Sequence, residues 1–501
     1  MNKSNVKLNY IYNLAYQIFA LIVPLITTPY VARTLGTGKV GQFSFAASVN
    51  SFFCMFAALG FSFYAQREIA KNQSDRKRQS VAFWEIMVCK LITGIVVFAC
   101  CWMLIFFGAF SEYALLLKIL SIEILGTTLN IAFFFQGNEQ FGLVALRDFL
   151  IRIFSVLVVF LFVKKPDDLW LYALCTAGSS LISSVSLWPC LNTKIDFIKI
   201  SELNPWKHFI PSVKLFVPTI AISIYTLLDK PLIGVLIPGD VTTYLPNGEI
   251  IIEKLSDIEN GYYAQAEKII KMGMMVLASL GTVMMPRNAK ELAEGNEKNF
   301  LNNVNKAISF VFFIGAPIAA GLFAIASNFS PWFFGIGYEK VPSLMRIFCF
   351  MILPAGLGNV LGQQYLLPKG EDNKYIIVYV SCAIINLVLN LLMIPQMFSY
   401  GAAVATVIAE TCAPIIMLYM LRGSLSVREI MKTNWKTLVA AGVMLLCVFG
   451  TANLFSPSII HTGILIAEGI IVYVLCSIVL KNQLVEEALM RVRSKMSKNS
   501  K

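Results

Sequence analysis

Apolar residues dominate this chain in runs of about 20, which short polar connections separate. A helix of that length crosses the roughly 30 Å of hydrocarbon in a lipid bilayer. The pattern therefore predicts an all-α membrane protein with about fourteen transmembrane helices packed into a compact bundle. The predicted spans are 8–32, 41–65, 83–107, 113–136, 148–163, 168–190, 212–237, 261–285, 305–326, 341–366, 374–395, 400–421, 436–454 and 459–480.

The basic residues indicate how these spans are oriented. Of the 41 lysines and arginines, 28 fall in segments on one side of the predicted bundle, 6 fall on the other side and 7 lie within spans. Because short cytoplasmic loops carry the excess of basic residues, both termini are predicted to be cytoplasmic. The net charge of +12 is then a signal of topology and of contact with lipid surfaces. We expect no binding to nucleic acid.

Composition excludes several other classes of protein. With 57% hydrophobic and 14% charged residues, the chain has no place for a large soluble domain. Its eleven cysteines lie in or beside apolar runs, and two histidines without a Cys-x-x-Cys pair argue against zinc. The segment 36–40 lacks the first glycine and the hydroxyl residue of a phosphate-binding loop. We expect no cofactor and no use of ATP, and a proton or sodium gradient is the candidate energy source.

The longest predicted outward loop, 238–260, is acidic. Asn247-Gly248 sits between runs typical of strands, which predicts a β-hairpin within this loop. The alternative is a solvated insertion that has no function of its own.

Two stretches of the chain resemble each other at an offset of six spans. The matched pairs are Pro29 with Pro231, Gly41 with Gly261, and Phe43 with Tyr263. An even offset predicts two six-helix lobes related by an axis along the membrane normal, with a cavity between them that opens alternately to each side. The predicted divisions are 1–200 for the N-terminal lobe, 201–425 for the C-terminal lobe, 426–480 for two extra spans and 481–501 for a basic cytoplasmic tail.

Ionisable side chains within the spans are candidates for function, because a charge in the bilayer is costly. The candidate substrate-binding cations are Lys230, Lys268, Lys271, Arg33, Lys118 and Arg346. The candidate acids for ion coupling or charge tuning are Asp229, Glu267, Glu123 and Glu410. Most of these bases fall in the outer half of the bundle, which suits an anionic headgroup such as a diphosphate. The structural alternatives are snorkelling to the interface and ion pairs that only join helices.

Polar side chains also mark the first span. Asn13 and Gln17 repeat at four-residue spacing and therefore share one helix face. Lining of a cavity and hydrogen bonding between helices both explain this pattern.

Several short motifs carry a resemblance to a known family. They are Asn9 to Asn13, Val23 to Gly36, Phe56 to Gly60, Gln66 to Ala70, Lys214 to Pro218, Leu228 to Gly234, Gly261 to Lys268 and Leu280 to Arg287. Together they resemble the polysaccharide repeat-unit flippases of the Wzx type, across the spans up to about the twelfth. The resemblance implies the fold of the multidrug/oligosaccharidyl-lipid/polysaccharide exporters.

The same resemblance implies a substrate and a setting. Such flippases move undecaprenyl-diphosphate-linked oligosaccharides from the inner to the outer leaflet of the bacterial cytoplasmic membrane, for O-antigen, capsule or related glycans. Membrane lipids and the polysaccharide polymerase machinery are the implied partners. Related multidrug exporters often carry an acid in the first span, where this chain has Asn13 and Gln17.

Three other functions stay open at this point. An ion-coupled drug or metabolite exporter shares the implied fold. An integral-membrane glycan polymerase or ligase needs a substantial outward catalytic loop, and the longest one here has about 23 residues. A scaffold role leaves the charges within the spans unexplained.

Overall fold

The computed structural model describes residues 22–192, 194–244, 250–482 and 484–486. Within these residues, nine helices are long and apolar enough to cross a membrane, or ten if one bent pair is a single span. All nine coincide with predicted spans, so the prediction of an all-α membrane protein is confirmed. The count of fourteen stays a prediction.

The chain forms two compact units, Met1–Gly261 and Tyr262–Lys501. The division into two lobes related by symmetry, 1–200 and 201–425, stays a prediction. The helices of the first unit are α1 (22–35), α2 (Thr37–Ala58), α3 (Phe61–Lys71), α4 (Arg76–Phe106), α5 (Ala114–Leu120), α6 (Ile122–Leu129), α7 (Ala132–Gly137), α8 (Phe141–Phe162), α9 (Leu169–Val185), α10 (Trp206–Leu227) and α11 (Asp229–Leu236).

The second unit takes most of α12, which begins in the first. Its helices are α12 (Leu255–Ala293), α13 (Glu297–Phe334), α14 (Val341–Cys349), α15 (Ile352–Asn359), α16 (Asp372–Met397), α17 (Ser399–Met420), α18 (Val427–Ala452) and α19 (Ile459–Val479). A π-helical segment, Val360–Leu366, follows α15. The axes of α14 and of the combined segment Ile352–Leu366 differ by 42°, in the tenth predicted span, which Pro354 and several glycines interrupt.

Breaks within predicted spans have local causes. Helix α2 ends at Ala58 rather than at residue 65, because Leu59 and Gly60 both adopt left-handed backbone angles. The fourth predicted span divides into α5, α6 and α7. At the break before α7, the buried Lys90 donates to the carbonyl oxygen of Asn130 at 2.5 Å. An amine thus satisfies a backbone carbonyl that the broken helix leaves free.

The predicted hairpin is present. Strand β1 (Asp240–Tyr244) pairs antiparallel with β2 (Ile250–Lys254), and Tyr244 lies opposite Ile250. The predicted turn at Asn247 and Gly248 lies outside the described residues. Within the described part of the chain, this two-stranded sheet is the β structure that accompanies the helices.

Apolar side chains pack inside each unit and also cover its outside. In the first unit, Phe45, Leu120 and Ile124 belong to one buried cluster, and Phe83 and Phe134 belong to another. Large apolar side chains are also widely exposed, as at Phe106, Leu161, Leu446 and Ile470. Exposed apolar surface on this scale suits helices that face lipid rather than water.

Candidate functional site

Two of the predicted site residues form an ion pair in the second unit. Lys271 Nζ lies 2.6 Å from Glu267 Oε1, one turn away on α12. Glu267 is buried, whereas the Lys271 side chain is 45% exposed. Lys268, on the same helix, is half-buried. The amine of Lys271 thus carries a positive charge to an accessible surface while it neutralises a buried carboxylate.

The other predicted pair lies in the first unit. Asp229 is 2% exposed and begins α11, and Lys230 follows it. The side-chain amide of Asn260 donates to the carbonyl oxygen of Lys230 at 3.1 Å. The hypothesis that this pair meets Lys271 stays a prediction.

The remaining predicted cations have different surroundings. Arg33 and Lys118 are exposed. Arg346 is half-buried in the second unit, where its Nη2 donates to Ser327 Oγ at 2.8 Å. Its guanidinium also lies 5.6 Å from the ring centres of both Phe323 and Phe449. These contacts join α13, α14 and α18. A role in substrate binding stays a prediction for all three residues.

The predicted acids and amides complete the set. Glu123 is half-buried and accepts a hydrogen bond from Asn50 Nδ2 at 2.9 Å. Glu410 is half-buried on α17. Asn13 and Gln17 lie outside the described residues.

A cavity of about 460 Å³ brings Glu123 together with polar groups from several helices of the first unit. We call it the hydroxyl cavity. Its charged lining residues are Glu123, Asp148 and Arg152, and its hydroxyl-bearing lining residues are Thr27, Ser155, Tyr172, Thr176, Ser179, Ser180 and Ser183. Val23, Pro24, Ile151, Val156 and Val159 supply its apolar lining. Its volume falls within the range of small-molecule sites.

Hydrogen bonds hold one acid of this cavity in place. Asp148 Oδ1 accepts from Ser183 Oγ and from Arg147 Nη2, each at 2.6 Å. Arg147 Nη1 also donates to the carbonyl oxygen of Ser183. These contacts join α8 to α9 and fix the position of a carboxylate at the cavity wall.

Analysis of the sequence missed most of this cavity. Of its charged lining residues, only Glu123 is among the residues predicted from the sequence; Arg152, Asp148 and the serines are not. A signal was present, because Thr176, Ser179, Ser180 and Ser183 repeat at intervals of three and four residues and so share one helix face. However, a serine in a membrane helix often donates a hydrogen bond to a backbone carbonyl of its own helix. The spacing alone therefore does not distinguish such serines from serines that line a cavity.

A second cluster that sequence reasoning missed lies where α4 meets the start of α10. Glu85 is 2% exposed, and its carboxylate accepts from the backbone amide of Asn204 at 2.9 Å and from Lys207 Nζ at 2.6 Å. His208 Nε2 lies 3.0 Å from the same carboxylate, and its Nδ1 lies 2.7 Å from the hydroxyl of Tyr64. One buried acid therefore anchors the beginning of α10.

Residues 6–292 match the family model described as polysaccharide biosynthesis protein. The chain belongs to this family. The membership predicted from the short motifs is thereby confirmed, and the matched region includes the whole hydroxyl cavity.

Two curated relatives extend the match beyond residue 292. A protein of Escherichia coli (strain K12) named as an O-antigen transporter is 21% identical over 427 residues, which cover 84% of this chain and 98% of the relative. A protein of Shigella dysenteriae with the same name is 22% identical over 429 residues, which cover 84% and 99%. The polysaccharide biosynthesis chain thus aligns with these relatives over almost their whole length.

Solved structures share the fold. The lipid II flippase MurJ in an inward closed conformation superposes with a TM-score of 0.74 at 16% identity, covering 95% of this chain and all of that one. An inward-facing multidrug transporter of the MATE family superposes with a TM-score of 0.58 at 13% identity, covering 82% and 99%. The polysaccharide biosynthesis protein therefore has the fold of these transporters.

Proposed function

We propose that this protein is a flippase for undecaprenyl-diphosphate-linked oligosaccharide repeat units in a bacterial cytoplasmic membrane. It moves them from the inner to the outer leaflet for the assembly of a surface polysaccharide. The observation that carries the proposal is the hydroxyl cavity, a polar space among membrane helices of a polysaccharide biosynthesis protein. A hydrophilic headgroup needs such a space, because each unsatisfied polar group costs several kcal/mol in hydrocarbon.

The names of the relatives and the shared fold support the same function. Two relatives are named as O-antigen transporters, and one protein of this fold is a lipid II flippase. In our proposal the polyprenyl tail stays in the lipid while the headgroup passes through the bundle by alternating access. Lys230, Lys268, Lys271 and Arg33 hold the diphosphate, and Asp229 or Glu267 takes up the coupling proton or sodium ion.

Deletion of the gene in its host tests this function. We expect undecaprenyl-linked repeat units to accumulate with their glycans facing the cytoplasm, and surface glycan to be lost. Leaflet location is measured by labelling the glycans with a membrane-impermeant reagent before and after lysis. Unchanged lipid-linked pools would instead favour the drug exporter, and single units accumulating in the outer leaflet would indicate a polymerase.

Substitution of Lys271 tests the cationic part of the proposal. We expect Lys271→Ala and Lys268→Ala to reduce transport in the deletion strain at unchanged protein level, and Lys271→Arg to retain it. Lys290→Ala is the matched control, because Lys290 is an exposed lysine on the same helix. Like Lys271, it pairs with a glutamate one turn away: its Nζ lies 3.6 Å from Glu294 Oε1. Normal transport with both alanine variants would contradict diphosphate binding by these lysines.

A further inference from the structure

Several polar groups of the hydroxyl cavity have no hydrogen-bond partner among the residues that the structure describes. The exposed guanidinium of Arg152 and the half-buried hydroxyls of Ser155, Ser180 and Tyr172 make no hydrogen bond within the described residues. These groups come from two neighbouring helices, α8 and α9. Polar groups that lie among membrane helices without partners call for an explanation, and a bound ligand is one.

The unsatisfied groups include both donors and acceptors. Arg152 only donates, a serine or tyrosine hydroxyl does both, and the carboxylates of Asp148 and Glu123 only accept. Asp148 uses Oδ1 for Ser183 and Arg147, and Glu123 uses Oε2 for Asn50. Among the described residues no group donates to the second oxygen of either carboxylate, so both oxygens are open to a ligand. A complementary ligand needs several hydroxyl groups, since a hydroxyl also donates and accepts.

The charges of the cavity argue against other ligands. Two carboxylates in the lining disfavour a diphosphate, and the guanidinium of Arg152 disfavours a metal cation. Arg147 forms an ion pair with Asp148. With Arg147 included, the formal charges of Arg147, Asp148, Arg152 and Glu123 therefore sum to zero. No group of three or more His, Cys, Asp or Glu suited to a metal occurs among the residues that the structure describes. An apolar drug would leave the polar groups unsatisfied.

We infer that the hydroxyl cavity is a recognition site for an uncharged sugar ring of the transported headgroup. Arg152, Ser155, Ser180 and Tyr172 bind the sugar hydroxyls, and the free oxygens of Asp148 and Glu123 accept from them. The apolar lining, Val156 and Val159 among it, contacts the C–H groups of the ring. This inference rests on the proposed function and adds a determinant of sugar specificity, separate from the lysines assigned to the diphosphate.

Binding measurements on the full-length protein in lipid nanodiscs test the inference with two probes. One probe is the single-repeat oligosaccharide prepared from the host's surface polysaccharide, and the other is undecaprenyl diphosphate without sugar. We expect Arg152→Gln to weaken oligosaccharide binding about 10- to 100-fold and Ser180→Ala to weaken it about 2- to 10-fold, as lost charged and neutral hydrogen bonds do. Binding of undecaprenyl diphosphate should stay within about twofold of wild type.

Ser184→Ala is the matched control, because Ser184 lies on the same helix outside the cavity lining and bonds to the carbonyl oxygen of Ser180 at 3.0 Å. Wild-type protein that does not bind the oligosaccharide, or variants that bind it normally, would overturn the inference. Equal weakening of both probes would also overturn it, since the cavity would then not distinguish sugar. A change confined to sodium or proton dependence would identify an ion-coupling site instead.

This test is separate from the test of the flippase itself. If the deletion strain accumulates no lipid-linked units while the variants still lose oligosaccharide binding, the flippase proposal fails and the sugar site stands. If the units accumulate and the variants bind normally, the flippase stands and the sugar site fails.

Discussion

At the scale of single residues, Asp257 shows how the first unit is held together beside the hairpin. Its side chain is 1% exposed and accepts a hydrogen bond from the hydroxyl of Tyr113 at 2.7 Å. Burial raises the pKa of Asp257, although hydrogen bonds from Tyr113 and Gln42 act in the opposite direction. Burial likewise raises the pKa of the nearby Glu253. Glu253 lies in β2 and Asp257 lies just after the hairpin, at the start of α12, so groups that respond to pH join the hairpin to the membrane helices.

We predict that Asp257 makes the stability of the protein depend on pH. A raised pKa means that the folded state binds the proton more tightly than the unfolded state does. The contribution of this group to stability therefore grows as pH falls through the raised value and is lost as pH rises. Relative to wild type, Asp257→Asn should be at least as stable at pH 7 and should lose that advantage toward pH 4.

Thermal unfolding in detergent between pH 4 and 7.5 measures this effect, with Asp240→Asn as control because Asp240 is exposed on β1. A constant difference in unfolding temperature between wild type and Asp257→Asn at every pH would contradict the prediction.

At the scale of elements, the close approach of α2 to the start of α12 depends on glycine. A Cβ atom added to Gly41 would overlap the backbone carbonyl of Asp257, and one added to Gly261 would overlap the carbonyl of Thr37. These glycines are a matched pair of the predicted internal repeat, and the structure brings them into contact. Small residues let membrane helices approach closely enough for backbone contacts.

We predict that Gly41→Ala lowers the free energy of unfolding by about 1–3 kcal/mol, because the clashing atoms are backbone and the helices must move apart. Gly442→Ala is the matched control, since Gly442 lies inside α18 with open space at its Cβ position. That substitution should instead raise stability by about 0.5–1 kcal/mol through helix propensity. The melting temperatures of the two purified variants, compared with that of wild type, measure both effects. A Gly41→Ala variant as stable as wild type would show that α2 and the start of α12 are not in close contact.

At the scale of the whole molecule, the orientation in the membrane decides what the predicted sites do. The distribution of Lys and Arg predicts that the hairpin faces outward and that both termini are cytoplasmic. Only with that orientation do the predicted cations lie in the outer half of the bundle, on the side where our proposal releases the headgroup.

We predict that a protease site inserted at 245–249 is cut by protease added outside intact spheroplasts, while a C-terminal tag is digested only after lysis. A site inserted in the exposed turn near Ser74, between α3 and α4, is the inward control and should be protected until lysis. Immunoblotting of the fragments measures both. The reverse pattern of cleavage would invert the topology and place the cations in the inner half.

The sequence by itself determined the class of fold, the positions of nine described membrane helices and the membership of the family. Each of these follows from local information, because hydrophobic length and charge between spans act within one segment at a time. The hairpin was also predictable, since the residues of its two strands and turn are adjacent in the chain.

Only the tertiary structure decided which polar residues share a site. Asp148 meets Ser183, Glu85 meets His208 and Gly41 meets Asp257 across long stretches of chain, and these contacts depend on how helices cross. The spacing of charges along a span tells their depth but not the direction in which they point. The sequence therefore points to lysines and acids, because a charge in the bilayer is energetically costly. The folded chain instead forms a cavity in which uncharged serines surround the guanidinium of Arg152. A ligand is recognised by groups arranged in space, and packing sets that arrangement.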